Sequence, residues 1–326
     1  GSHLYPKGLS GKSKPHRAQQ EQKLLSTFSL LDDYKGNYFF ISGEHDWEYR
    51  GDKGLKAIKR MEDFAEDYFP AKDFFLPEDG CGDPVKVKVA DDVVLLFINT
   101  QWWLEDWENE KKINKGCDVK SRTEFIDELR EKLNKHHKKN LFVIMHHPLY
   151  SNGIHGGNIP AKYHFFPITE IKPKAYLPLP IFGSIAAMHR NISGTKQDLA
   201  NRQIKILHDE LTPMFHKKKD IVFIASHDQS LQYFQEQEQH WIVSGSAGGE
   251  GYARKGGKAK FASAKSGYSK IIVYENDAVW LEFYGLENSK MKLLFRKELK
   301  EGKSELEEVL EETELTTEWQ DSITAI

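Results

Sequence analysis

Leu141-Phe142-Val143-Ile144-Met145-His146-His147-Pro148 is an unbroken apolar run that ends in two imidazoles and a proline. Continuous apolar character over such a length reads as a strand buried on both faces, the kind that parallel sheets use. The stretch before it, 121 to 139, opens with Ser121 and carries Glu124 three residues on, the capping-box signature of a helix start. Two other segments repeat the design. Tyr38 to Ser42 runs into Gly43-Glu44-His45-Asp46-Trp47, and Ile221 to Ala225 runs into Ser226-His227-Asp228-Gln229. In open α/β sheets ligands gather at the C-terminal ends of strands, so imidazole and carboxylate groups placed there repeatedly converge on one site. Together those groups are the usual ligands of borderline metals.

Outward from these runs the pattern alternates between helix and strand, which predicts a layered α/β fold. Leu24, Leu25, Phe28 and Leu31 line one face of a helix over about 15 to 34, and a second helix runs from Leu55 to Tyr68 and stops at Pro70. Strands are expected at 85 to 89 and 93 to 99, joined as a hairpin across Asp91-Asp92, and a helix at 196 to 216. A run of strands at 241 to 245, 270 to 275, 278 to 284 and 291 to 297 closes the chain. Residues 147 to 195, rich in Gly, Pro, His and aromatics, show no clear element and read as one long functional loop. Trp102, Trp103 and Trp107 read as packing residues, and the basic stretch 252 to 270 as a solvated loop.

The chain has 326 residues, 39% hydrophobic and 29% charged, which is too apolar for disorder and too charged for a membrane-embedded protein. With 46 Lys and Arg against 49 Asp and Glu, the formal charge of -3 argues against a nucleic-acid partner bound through a broad basic surface. Residues 300 to 326 form an acidic tail or linker. The chain opens Gly1-Ser2-His3, with neither Met nor an apolar leader, as a cleaved tag would leave it.

The three strand-end motifs resemble the ordered blocks of the calcineurin-like metallophosphoesterases, on the branch of the purple acid phosphatases. GEHD at 43 to 46 stands where that family has GNHD or GNHE, Val143-Ile144-Met145-His146 matches VxxH, and SHDQ at 226 to 229 stands at GHxH. NTQWWL at 99 to 104, HHPLYSNGIHGG at 146 to 157, PLPIFGS at 178 to 184 and VSGSAGG at 243 to 249 extend the resemblance to a bacterial extracytoplasmic subgroup. It implies a four-layer α/β/β/α sandwich of two mixed sheets over residues 1 to 299, its long loop 147 to 195 roofing the site. The first strand of that fold is missing ahead of Gly1. Dimerisation or another segment is expected to fill its place.

The family uses two metals, drawn from Fe, Zn or Mn. Here the resemblance implies a degraded pair. The family's GDxxY block reads Gly1-Ser2-His3-Leu4-Tyr5, so the bridging aspartate corresponds to Ser2 and only Tyr5 matches, and the last His of GHxH is Gln229. Glu44, His146 and His227 remain as a metal-binding set for at most one divalent ion, zinc by ligand type. His45 corresponds to the family's general-acid histidine and Asp46 to its orienting carboxylate, while His147 and His155 belong to a substrate loop. An extracytoplasmic location and two cysteines in loops also imply a Cys81–Cys117 disulfide. The implied function is a weakly active or inactive metallophosphoesterase kept as a binding or scaffold module at the cell envelope, in the periplasm or at the outer membrane. Its partners would be envelope or outer-membrane proteins, with homodimerisation open. One alternative is an active phosphate mono- or diester hydrolase, acting on a phosphorylated small molecule, whose N-terminal ligand segment precedes this chain. The other is a mononuclear zinc hydrolase resting on Glu44.

Overall fold

The computed structural model describes residues 1–48, 51–69, 74–105, 114–170, 172, 174–215 and 220–303. They fall into two compact units, Gly1–Ser266 and Gly267–Ile326. Trp107, Pro70 and the acidic tail beyond residue 303 lie outside the described residues.

The first unit is built on a seven-stranded sheet in the order β1-β2-β3-β4-β6-β5-β7. Its strands are β1 (Val85–Lys88), β2 (Val93–Phe97), β3 (Asn140–Ile144), β4 (Val222–Ala225), β5 (Leu231–Glu236), β6 (Gln239–Ser244) and β7 (Ala259–Ser263). The sheet is mixed: β2, β3, β4 and β6 run parallel, and β1, β5 and β7 pair antiparallel at the flanks. Every neighbour in this order is hydrogen-bonded, so the seven strands leave no gap. The parallel centre is where continuous apolar sequence belongs, because both faces are covered. Phe223 on β4 is in register with Trp241 on β6, and their rings stack at 3.8 Å.

Helices α1 (Arg17–Phe28), α2 (Gly51–Tyr68), α3 (Thr100–Leu104), α4 (Arg122–Lys135), α5 (Ala161–Phe165), α6 (Pro180–Ile192) and α7 (Arg202–Phe215) complete the first unit. The expected cap is present: Ser121 Oγ accepts the Glu124 N–H at 3.1 Å. One stripe of α4 (Phe125, Ile126, Leu129 and Leu133) is buried. Trp102 and Trp103 are fully buried, and their indole N–H groups donate to Asn114 Oδ1 and the Gln203 carbonyl, as packing residues should.

The second unit carries a three-stranded antiparallel sheet, β10-β9-β8, from β8 (Gly267–Val273), β9 (Val279–Glu287) and β10 (Lys290–Lys300). A seven-stranded mixed sheet and a second small sheet, with helices, make the mixed α/β class expected from the sequence.

Several local expectations change. Tyr38 to Ser42 is not a strand of the sheet; it makes one parallel bridge, Phe40 to Phe75. Its aromatic side chains are instead used in a ring cluster, with Phe40 5.5 Å from Phe28 and Tyr38 4.8 Å from Phe69. Residues 147 to 195 are not a bare loop, since α5 and α6 fold within them. The helix expected from 196 starts at Arg202. The basic stretch 252 to 270 contains β7, which pairs with β5 at the sheet edge. Strand β5 was not anticipated because its hairpin with β6 turns at Gln237, which adopts a φ of 56°, rather than at a Gly or Asn.

Candidate metal centre

Two of the motif segments are held side by side by the sheet. Met145 N–H donates to the Ile224 carbonyl and Ser226 N–H to the His146 carbonyl, both at 3.0 Å, so the ladder continues past β3 and β4 and sets His146 next to Ser226 and His227. The third segment is a turn closed by Trp47 N–H on the Gly43 carbonyl at 3.2 Å. Asp46, fully buried, organises it: Oδ2 accepts the N–H groups of Ser2 and Gly43 at 2.7 and 3.1 Å, and Oδ1 accepts that of Leu4 at 3.2 Å. The turn presents Glu44 to the two histidines.

Glu44 Oε2 accepts the Nε2–H of His146 and lies 3.2 Å from His227 Nδ1. The other nitrogen of each ring is anchored. The Ser226 hydroxyl donates to His146 Nδ1 at 2.9 Å, and His227 Nε2–H donates to the Gln197 carbonyl at 3.1 Å. Such outer partners fix ring orientation in metal-ligating histidines. His227 holds its ring in place with a φ of 62°, a left-handed backbone that a residue with a Cβ adopts only when its surroundings enforce it.

Electrostatically the three groups behave as one. Burial alone would raise the Glu44 carboxyl, yet His227 and His146 hold it well below the usual range. Burial lowers His146 to about 4 despite Glu44, leaving it neutral. Burial also works against charge on His227, but Glu44 and Asp228 outweigh it and raise that imidazole.

A divalent ion suits this arrangement. Among the described residues His227 Nδ1 is buried without a hydrogen-bond partner, with Glu44 Oε2 3.2 Å away. Two imidazoles and a carboxylate are also a common zinc donor set. Glu44, His146, His147 and His227 each offer an atom within 4.8 Å of the others, a group that can hold a metal ion. Within that group His147 is already engaged: Thr100 Oγ1 lies 2.8 Å from its Nδ1, and Gln197 Oε1 accepts from its Nε2. Burial lowers its pKa well below the ordinary value. Cys81, Asp83 and Cys117 also cluster, but the cysteines form a disulfide, as the resemblance implied, so that trio is no metal site.

The other sequence candidates spread around the cluster. Ser2 Oγ is 3.4 Å from His146 Nε2, where the resemblance puts a bridging aspartate. His45 Nε2 lies 3.2 Å from Glu44 Oε1, and its Nδ1 lies 3.1 Å from the Pro6 carbonyl. Tyr5 is exposed and packs edge-on against His45 with ring centroids 4.4 Å apart. Gln229 is exposed, and its carbonyl accepts the Gly251 N–H at 2.6 Å. His155 lies over His227 with ring centroids 4.0 Å apart and donates from Nδ1 to Asp198 Oδ1 at 2.8 Å. Asp198 also receives Arg190 Nη2 at 2.7 Å and Thr195 N–H at 2.7 Å. Burial pushes that carboxyl up, but these donors hold it far below the usual range. Thr100, Gln197, Asp198 and Arg190 escaped the sequence reading, while Ser226 was part of a motif but was given no role. Thr100 carried a usable signal, a hydroxyl directly after a strand, whereas Arg190 lies in the segment read as irregular and Gln197 and Asp198 in the stretch expected to be the first turn of a helix that begins only at Arg202.

No protein-family model matches this chain, and no curated protein matches it in sequence. Among solved structures it is similar to GAP50, the anchor in the inner membrane complex of Plasmodium, with 15% identity and a TM-score of 0.52 over 93% of this chain and 77% of that one. It also aligns with the purple acid phosphatase PPD1 from yellow lupin (Lupinus luteus) seeds, at 12% identity and a TM-score of 0.41, over 78% of this chain and 39% of that one. At 15% identity the likeness to GAP50 is one of fold.

Proposed function

We propose that this chain is a metallophosphoesterase-fold module with a reduced, single-ion centre, weakly active or inactive in hydrolysis, that serves as a binding or scaffold element at an extracytoplasmic membrane. One observation carries the reading: Glu44, His146 and His227 aim their available atoms at a common point, while Gln229, at the position of a second ion's ligand, is exposed. Glu44, His146 and His227 would hold the ion, zinc by donor type. When bound, a divalent ion supplies Lewis acidity toward a phosphoryl oxygen. A lone ion lacks the second centre that clamps both the entering and the leaving oxygen. The Cys81–Cys117 disulfide supports an oxidising compartment, and no described helix is long and apolar enough to cross a membrane. The fold neighbour GAP50 is the anchor in an inner membrane complex, and an anchoring role toward envelope partners is the kind proposed here for this chain.

Isothermal titration of the dialysed protein with zinc tests the centre. One-site binding that disappears in Glu44→Gln is expected, and absence of binding in both proteins would refute it. A second reading, hydrolysis of a phosphorylated small molecule at the same ion, is favoured by His45 Nε2, which lies 3.2 Å from Glu44 Oε1 beside the cluster. Turnover of aryl phosphates separates the two readings.

A further inference from the structure

Helix α6 faces the wrong way for a core helix. Its buried residues are the small ones, Gly183 and Ala187. A Cβ at position 183 would come within 2.2 Å of the His164 carbonyl, so the glycine lets α6 press directly on α5. The large apolar residues of the same helix (Ile181, Phe182, Ile185, Met188 and Ile192) are 53 to 72% exposed. Their spacing forms one apolar stripe along the helix, and amphipathic helices of globular proteins turn such a stripe inward. The surrounding segment extends it, with Phe165, Tyr176 and Leu177 also more than half exposed. Contiguous apolar surface of this kind on a folded protein marks an interaction site.

Charge decides the occupant. Residues 158 to 196 contain five Lys or Arg and one acid, Glu170, although the whole chain carries a formal charge of -3. Glu170 is taken up by Arg190, which also binds Asp198 and so ties the last turn of α6 down. Lys162, Lys172, Lys174 and Lys196 are the other basic residues of this segment, with Lys162 Nζ lying 5.0 Å over the Tyr176 ring. Aliphatic and aromatic residues on one face, fringed by lysines, are the composition of helices that lie in the plane of a bilayer interface. At 13 residues α6 is too short to span one.

We propose that α6 and the turn before it form a docking surface for a phospholipid bilayer with anionic headgroups, the apolar stripe entering the acyl boundary and the lysines meeting the phosphates. The proposal is independent of the metal centre.

Vesicle flotation of the full chain tests it, using phosphatidylcholine vesicles with and without about 30% phosphatidylglycerol. Binding to the anionic vesicles is expected, weakened by salt and lower on the neutral ones. The pair Phe182→Ser and Ile185→Glu should reduce partitioning more than about tenfold. Lys172→Glu with Lys174→Glu, which alters only exposed side chains, should reduce binding to the anionic vesicles alone. Absence of flotation, flotation untouched by either pair, or equal binding to both vesicles would overturn the proposal. So would a dimer in light scattering that the Phe182 and Ile185 changes dissociate while the vesicles stay bare, since that would give the surface to a second copy of the chain.

Discussion

Glu44 Oε2 stands 3.2 Å from His227 Nδ1 without a hydrogen bond between them, and the same oxygen receives His146. The proposed single-ion centre rests on this convergence. Elemental analysis after exhaustive dialysis is expected to find one equivalent of divalent ion or less per chain, and two tightly held equivalents would contradict the assignment. Ser226→Ala, which frees His146 Nδ1, should weaken zinc binding about tenfold to a hundredfold, as loss of an outer partner does. Glu44→Gln removes a ligand and should cost more.

The expectation for catalysis follows from the proposed single ion. Paired ions are what stabilise both oxygens of an in-line displacement. Turnover of aryl phosphate mono- and diesters is expected to stay at the level of the His45→Ala variant, even with added zinc or manganese. Metal-dependent turnover that His45→Ala lowers would replace the scaffold reading with the hydrolytic one.

The Cys81–Cys117 bridge joins residues 36 apart in sequence. Loop-closure entropy for that separation corresponds to about 4 kcal/mol in the chain-entropy model. Urea unfolding of the Cys81→Ser, Cys117→Ser pair against the parent should show a loss of that order, and thiol titration of the denatured, unreduced parent should find no free thiol.

Glu62 supplies a pH dependence. It is buried on α2, both its oxygens accept the Asp79 N–H at 2.9 Å, and its pKa is raised to about 8. Burial is the main cause; the bond from Asp79 N–H works against it, and the charges of Asp79, Glu66 and Glu78 add to it. Lys59 is paired to Asp79 at 2.6 Å. The folded chain therefore keeps a proton that the unfolded chain releases from 4.5 upward, so stability is full below that value and falls as pH rises toward about 8. A tenfold difference in proton affinity between the folded and unfolded chains is worth about 1.4 kcal/mol, which makes the loss measurable. Glu62→Gln should flatten the slope between these limits and exceed the parent in stability at the alkaline end. An unchanged slope in the variant would exclude Glu62 as the titrating group.

What the sequence alone determined is local in origin. The apolar runs of β3 and β4, the Ser121 cap, and the imidazoles at the two strand ends were legible because burial on both faces, backbone capping and strand-end placement each leave a mark within a few residues. A local pattern reports that a segment is apolar, not what covers it. Tyr38 to Ser42 has the composition of a strand, and only the ring cluster around Phe28 and Phe69 makes it a packed segment with one bridge. The α6 stripe has helical spacing, and only the close contact of Gly183 with His164 turns its large residues outward. His227 reaches Glu44 because β3 and β4 are paired and its backbone is held left-handed, conditions that depend on residues far apart in the chain. Hydrogen-bond register and side-chain packing are non-local quantities, and for that reason the shape of the metal centre was decided by the tertiary structure.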